Sequence, residues 1–326
     1  MLEKIAKAKP SERNAIFLEA ASIKNISAAM IEKDFWVCWV LKRIFSDTEL
    51  SKLLCFKGGT SLSKAFNLIE RFSEDIDLIL NWDVVLKGRK IIQPSNTKQD
   101  LMNKEINADA EIYISTTLKQ NIEDKIQDVC TIQSDINDKN ILQIEYPKAI
   151  NDKYLLPFIK LEIGPLAAWS PNKISEIKPY IEVIKGIQVD NIDVPTIIAE
   201  RTFWEKITIL HKEHYRDEKR KFPERYSRHY YDVYKMGNSY LLNSALEQIN
   251  LLKNVVDFKK RFYPCGWARY DLAVPETIQL MPSEYNSEFL RNDYKKMESM
   301  IYGDYPTWDE ILEYLQILEN KIHSLL

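Results

Sequence analysis

The chain has 326 residues, 45% of them hydrophobic and 29% charged, with a formal net charge of −3. That length and apolar share suffice for a full core and predict two lobes around a cleft, while the near-neutral balance excludes a protein drawn to nucleic acid by its overall charge, so any such contact has to come from a local patch. Cys38, Cys55, Cys130 and Cys265 form no Cys-x-x-Cys pair and read as reduced thiols rather than a zinc site or disulfide framework; with no stretch apolar enough for a signal peptide or membrane span, the expected location is the cytoplasm.

Ser11 opens a predicted helix that includes Ile16, Phe17 and Ala20, and Ser27 opens a second through Met30, Ile31, Phe35, Trp36, Trp39, Val40 and Ile44. The aromatic stripe of the second is expected to pack against a sheet, and Glu32, Lys33 and Asp34 read as a solvated helix face. Leu53 to Phe56 is a short apolar run that stops at Gly58-Gly59, as a buried strand would, and a Gly-Gly turn lets the backbone approach a ligand closely. Thr60 or Ser61 then caps a helix over Leu62, Ala65, Phe66 and Ile69, whose first-turn amides and hydroxyls point back over the glycines, where a phosphate is welcome. Asp75-Ile76-Asp77-Leu78 alternates in the strand manner, so both carboxylates share a face while Ile76 and Leu78 enter the core. Two carboxylates side by side repel each other unless a cation sits between them. Mg2+ is the natural ion, and acids beside a phosphate-cradling turn suit a Mg-nucleotide and phosphoryl or nucleotidyl transfer. Either half alone also reads as an ordinary turn or a solvated surface strand; the two together, one helix apart, are much rarer.

In Lys57-Gly58-Gly59-Thr60-Ser61 and Arg71-Phe72-Ser73-Glu74-Asp75-Ile76-Asp77-Leu78 the chain resembles the AbiEii/AbiGii nucleotidyltransferase toxin family, a branch of the polymerase-β-like nucleotidyltransferase superfamily. Ile31 to Leu41 resembles the segment that precedes the glycine motif in that family. The resemblance implies Gly58, Gly59, Thr60 and Ser61 as nucleotide-binding residues and Asp75 and Asp77 as catalytic metal ligands. A Walker P-loop is a different motif, Gly-x-x-x-x-Gly-Lys-[Ser/Thr], which this turn lacks.

Asn81 to Asn96 reads as irregular connection, and residues 97 to 128 as a helical insertion with Leu101, Ile106, Ile112, Ile114, Leu118, Ile122 and Ile126 along one stripe. Val129 to Ser134 and Ile141 to Tyr146 read as a hairpin, and Leu155 to Gly164 as a strand with Phe158, Lys160 and Glu162 on one side. Polymerase-β-like folds add a carboxylate from a neighbouring strand, so the resemblance makes Glu162 the candidate third catalytic acid; its other reading is a surface pair with Lys160. Pro195 is expected at a helix start, with Ile198, Thr202, Ile209 and Leu210 following at helical spacing. Ala199-Glu200-Arg201-Thr202-Phe203-Trp204-Glu205-Lys206-Ile207 resembles the Glu-Lys helix of the family, which gives Lys206 a contact with the nucleotide phosphates; on composition alone it is an exposed helix lysine.

Arg225-Tyr226-Ser227-Arg228-His229-Tyr230-Tyr231-Asp232-Val233-Tyr234 resembles the family's Arg-Asp-x-x-Asp-Leu-Tyr motif, with Arg228, Asp232 and Tyr234 in matching places and His229 where an acid commonly stands. The resemblance makes Asp232 a catalytic candidate, orienting Lys206 or binding the base or acceptor; the bland alternative is a salt bridge with Arg228 one helical turn away. His211 and His214 lack a third ligand and read as surface residues rather than a metal site. Between Lys212 and Lys235 stand eight Lys/Arg against five Asp/Glu, interleaved with Tyr215, Tyr226, Tyr230 and Tyr231. Arg216, Lys219, Arg220, Lys221, Arg225 and Arg228 are therefore the candidate RNA-binding residues, against the alternative of a solvated mixed-charge helix. The rest reads as helical, with a loop at Tyr263 to Asp271 and a last amphipathic helix from Trp308 to Leu326.

The expected architecture is α/β: a polymerase-β-like mixed sheet with N-terminal helices and a helical insertion in residues 1–194, and a mostly helical domain in 195–326. The expected function is Mg2+-dependent transfer of a nucleotide from an NTP co-substrate with release of pyrophosphate. The resemblance implies a toxin of a bacterial toxin–antitoxin, abortive-infection or phage-defence system, acting on the 3′ acceptor end of tRNA to block translation, with a cognate antitoxin as partner. Two rivals stand beside it, transfer of a nucleotide to a protein hydroxyl and an inactive fold kept as a binding module.

Overall fold

The computed structural model describes residues 1–152 and 155–325. These form two compact units, Met1–Ala65 with Phe72–Ile197, and Phe66–Arg71 with Ile198–Leu326. Leu326, which the sequence places in the last helix, lies outside the described residues.

The first unit is built on a sheet of β1 (Leu54–Lys57), β2 (Asp75–Leu80), β3 (Thr131–Ser134), β4 (Ile141–Glu145), β5 (Phe158–Gly164), β6 (Asn172–Ile177) and β7 (Ile192–Ile197), in the order β3-β4-β5-β2-β1-β7-β6. It is mixed: β2 runs antiparallel to β1 and parallel to β5, and β7 runs parallel to β1. The predicted hairpin is β3–β4, with Ile132 opposite Ile144. Along β2, Ile76 and Leu78 are buried and Asp75 and Asp77 half-buried, the alternation that a pleat imposes.

Ahead of β1 come α1 (Pro10–Lys24) and α2 (Ala28–Phe45). The Ser27 hydroxyl caps α2 by accepting from the Met30 amide at 3.2 Å. As expected, α2 carries its aromatic stripe onto the sheet, packing against β5 and β7, with Phe35, Trp36 and Trp39 wholly buried. The expectation for Glu32, Lys33 and Asp34 fails, because α2 is enclosed on all sides and these three are buried with it. Buried charge costs on the order of several kcal/mol per ion unless bonded, and each has partners: Glu32 accepts from the Ala149 and Ile150 amides at 2.6 and 3.0 Å, and Asp34 from the Tyr180 amide at 2.6 Å.

The short α3 (Gly58–Lys64) follows β1 directly, so the expected cap fails: the glycines themselves open the helix, neither Thr60 nor Ser61 caps it, and it ends before Ala65, Phe66 and Ile69. The insertion is α4 (Asn96–Tyr113), a π-helical turn at Ile114–Leu118 and α5 (Lys119–Ile126); Ile106, Ile114, Leu118, Ile122 and Ile126 are buried along it, whereas Leu101 and Ile112 face outward. Pro195 is not a helix start. It lies inside β7 opposite Ile174, where a missing N–H is tolerated because β1 pairs with β7 only at Phe56–Thr196, and the helix begins at Ala199.

The second unit is helical: α6 (Ala199–His214), α7 (Arg228–Gly237), α8 (Leu241–Glu247), α9 (Asn250–Phe262), α10 (Glu284–Lys296) and α11 (Trp308–His323). The central α6 packs against α7, α8 and α9, and its Trp204 indole N–H donates to the Ala245 carbonyl at 3.0 Å. Thr307 and Glu310 form a capping box at the start of α11. The segment Phe66–Arg71 is fastened here by a bridge from Arg71 to Ile301 and by the Tyr302 amide donating to the Glu70 carbonyl at 2.9 Å. No helix among the described residues is long and apolar enough to cross a membrane.

Candidate active site

The sheet register assembles an acidic centre in the first unit. On the parallel pair β2–β5, Asp75 stands opposite Lys160 and Asp77 opposite Glu162, so three carboxylates and one ammonium share a face. Lys160 and Glu162 form an ion pair. The antiparallel partner of Asp77 on the other side is Lys57, the last residue before the glycines, which brings the turn to the second acid.

Gly58 shows how close that approach is. Its φ is +78°, a region that side chains rarely adopt, and a Cβ there would stand 1.9 Å from Asp77 Oδ2. Only glycine lets the turn and the acid coexist. The two hydroxyls that follow are buried and brace the turn: Thr60 Oγ1 donates to the Asp75 carbonyl at 2.5 Å, and Ser61 Oγ donates to the Gly58 carbonyl at 2.8 Å. Gly58 and Gly59 are the more open part of the motif.

The electrostatics are those of an incompletely neutralised cluster. Burial first, then the charge of Glu162, push the Asp75 carboxyl up to about 6 despite the opposing pull of Lys160, and Asp77 and Glu74 add to the rise. Asp75 Oδ1 is buried and has no hydrogen-bond partner. Among the described residues no group of three or more His, Cys, Asp or Glu side chains is arranged to hold a metal ion by itself. The fit is to an open site: Mg2+ takes one or two carboxylates and completes its shell with water and substrate phosphates, and an orphaned carboxylate oxygen beside a second acid is the donor set for that.

Lys206 and Asp232 lie in the second unit, and the structure adds a residue that the sequence did not single out for this role, Arg71. Asp232 is fully buried on α7 and receives two hydrogen bonds from the Arg71 guanidinium, Nε to Oδ1 at 2.7 Å and Nη2 to Oδ2 at 2.8 Å, while Lys206 Nζ on α6 sits 2.6 Å from the same Oδ2. Burial alone would raise the Asp232 carboxyl, but Arg71 and Lys206 outweigh it and hold it below the usual range. Burial, reinforced by the neighbouring guanidinium of Arg71, pulls the Lys206 ammonium below its ordinary value in spite of Asp232. His229 Nδ1 is 3.5 Å from Lys206 Nζ, and burial together with Lys206 and Arg228 keeps its ring far below the usual histidine range, so it stays neutral.

The family described as "Nucleotidyl transferase AbiEii toxin, Type IV TA system" matches residues 39–314. The chain belongs to that family. As a member it is a nucleotidyltransferase of the toxin class. No curated protein matches it. Among solved structures it is similar to JHP933 from Helicobacter pylori, at 14% identity and TM-score 0.46 over 91% of this chain and 93% of that one. It is similar too to the nucleotidyltransferase toxin MenT4 from Mycobacterium tuberculosis H37Rv, at 14% identity and TM-score 0.42 over 95% and 98% of the two chains.

In this AbiEii family member the basic stretch divides into surface and scaffold. Lys219, Arg220, Lys221 and Arg225 are exposed and Arg228 is half-buried. Arg216 is turned inward: its guanidinium pairs with Glu213, donates to the Lys221 carbonyl at 3.0 Å and lies over Phe222 at 4.5 Å and Trp267 at 5.0 Å. Tyr230 and Tyr231 are fully buried, which removes them from any surface. Trp267, half-buried on the loop, takes their place as the aromatic of the basic surface, with Lys212 at 5.0 Å and Arg220 at 5.4 Å from its ring. His211 is a buried core residue rather than a surface one: Nδ1 accepts from the Gln279 amide at 3.0 Å, which leaves Nε2–H to donate to the Arg269 carbonyl at 2.9 Å. The His214 Nδ1 contacts the Met281 carbonyl at 2.7 Å.

Proposed function

We propose that this AbiEii family member transfers a nucleotide from an NTP to the 3′ acceptor end of tRNA in a Mg2+-dependent reaction, and that the blocked tRNA halts translation. The observation that carries the chemistry is the partnerless buried oxygen of Asp75 beside Asp77, with Gly58 packed against the second acid. Asp75 and Asp77 are the residues to hold Mg2+. When bound, the ion supplies charge to the phosphates and lowers the barrier for an acceptor hydroxyl attacking the α-phosphate. The open backbone at Gly58 and Gly59 accommodates phosphate oxygens, while Thr60 and Ser61 keep the turn in shape. Glu162, in register with Asp77 and paired with Lys160, is the residue to orient the acceptor hydroxyl or accept its proton once released from Lys160. Lys206 and Asp232 keep the roles that the resemblance gives them, an ammonium offered to phosphate and the carboxylate that holds it in place. The acceptor is assigned to RNA on the exposed Lys219, Arg220, Lys221 and Arg225 with Trp267 beside them, a combination that meets a phosphate backbone and an unpaired base.

The test is incubation of the purified protein with Mg2+, each α-labelled NTP in turn, and either total tRNA or cell protein, beside Asp75→Ala and Asp77→Ala. Label on tRNA that requires both acids is the expected result. Label on protein alone would replace the acceptor, and no label on either would return the fold to a binding role. For the RNA surface, Arg220→Ala should weaken tRNA binding and reduce the slope of log affinity against log salt by about 1.

A further inference from the structure

We infer that Lys33 is the positioning residue of the acidic centre: its ammonium fastens the lead-in of β2 to the entry of β5 and so fixes Asp75, Asp77 and Glu162 with respect to one another. The inference rests on the reading of Asp75 and Asp77 as metal ligands.

Lys33 is wholly buried on α2. Its Nζ donates to the Leu156 carbonyl at 2.8 Å and the Phe158 carbonyl at 2.6 Å and stands 3.5 Å from Glu74 Oε2. The same Glu74 carboxylate accepts from the Leu156 amide at 2.9 Å, which closes a ring of bonds between the two segments. Glu74 immediately precedes Asp75, and Phe158 is the first residue of β5, whose Lys160 and Glu162 register with Asp75 and Asp77. One ammonium therefore joins the starts of the two parallel strands that carry all three acids. Those acids repel each other, which adds to the effect of burial in raising Asp75, and repulsion across a strand pair works to splay it. A clamp at the strand starts resists that, and it has to come from a third element because the ladder itself is what is being strained.

Its neighbour on α2 secures the glycine turn in the same manner. Asp34 pairs at 2.7 Å with Lys64, the last residue of the helix that begins at Gly58. A helix asked only to pack against a sheet would fill both positions with apolar side chains, which avoids the desolvation of buried charge. The Glu32-Lys33-Asp34 triplet is explained by what it holds.

Charge and position make opposite predictions here, which makes the inference testable. The charge of Lys33 is felt at Asp75, so removing it would by field alone tighten the binding of a divalent cation, whereas loosening the strands would weaken it. Mn2+ serves as the probe, its binding to the full-length protein read by electron paramagnetic resonance together with melting temperature. Lys33→Met is expected to bind Mn2+ more weakly by about 10–100-fold, the range for residues that orient metal ligands. Lys33→Gln, which keeps N–H donors for the two carbonyls, is expected to recover part of that loss. A folded Lys33→Met with unchanged or tighter Mn2+ binding overturns the inference. Should Lys33→Met not fold, Lys33→Gln decides by the same measurement, weaker binding than the parent supporting the clamp and equal or tighter binding overturning it. Asp77→Asn, run in parallel, separates the two levels: Mn2+ binding as tight as the parent would remove the metal reading itself and the inference with it.

Discussion

Asp75 and Asp232 are both carboxylates withdrawn from water, and their surroundings treat them in opposite ways. Asp232 is met by a bidentate guanidinium and an ammonium, more positive charge than it needs, and is held ionised. Asp75 faces two other acids with one lysine among them, keeps an oxygen without a partner, and holds its proton up to about 6. Burial is common to both, so the difference comes from the neighbours. A fully bonded carboxylate holds its cations in place, whereas an under-neutralised one leaves a charge for something else to satisfy. The first unit therefore carries a cluster with negative charge left to satisfy, and the second one whose charges are paired.

The largest effect expected from that contrast is at Asp77. Asp77→Asn should leave melting temperature nearly unchanged and lower kcat by ~10³-fold, about 4 kcal/mol of transition-state stabilisation, in a labelled-nucleotide transfer assay. Asp232→Ala should be felt in stability as well, stripping two buried cations of their shared partner and costing about 3–5 kcal/mol in denaturant unfolding. Equal stability losses at the two acids would erase the distinction drawn between the centres. Gly58→Ala probes the acidic centre from the turn: the left-handed backbone alone costs a side chain about 1–2 kcal/mol, and displacement of Asp77 should add a fall in activity larger than that stability loss accounts for. The smallest effect is on pH dependence. A carboxyl that binds its proton more tightly when folded removes stability as pH rises from its unfolded value of 3.8 through about 6, and the loss is complete above that. Metal-free Asp75→Asn should therefore unfold later than the parent at pH 7.5, by on the order of 1 kcal/mol once solvent screening is allowed for, with the gap closing toward pH 4.

What could be read in advance follows the range of the interactions. The Gly-Gly motif and the Asp-x-Asp strand are each local patterns, so composition and alternation reveal them; the same holds for the β3–β4 hairpin and the helical insertion. The charged triplet on α2 reads as a solvated face because its partners lie at positions 64, 74, 149, 150, 156, 158 and 180, and nothing local distinguishes a buried charge from a solvated one. The role of Arg71 is hidden in the same way, its partner standing 161 residues further along. Pro195 deceived by a true tendency: proline does favour helix starts, but a sparsely paired stretch of strand satisfies it equally well. Tyr230 and Tyr231 counted toward an aromatic surface until burial removed them, and Trp267 entered from a loop that the charge pattern did not include.

The path of the chain between its two best-known motifs has a consequence for how this protein can be divided. After the glycine turn it leaves the first unit at Ala65, contributes Phe66–Arg71 to the second, and returns at Phe72, three residues before Asp75. No single cut yields both units intact. A fragment beginning at Ile198 would lack Arg71 and leave Asp232 with half of its counter-charge, and one ending at Ile197 would carry six residues whose partners are gone. The two units are thus inherited together: recombination at the 197–198 junction cannot shuffle the helical unit onto another sheet unless the recipient already brings the same six-residue excursion.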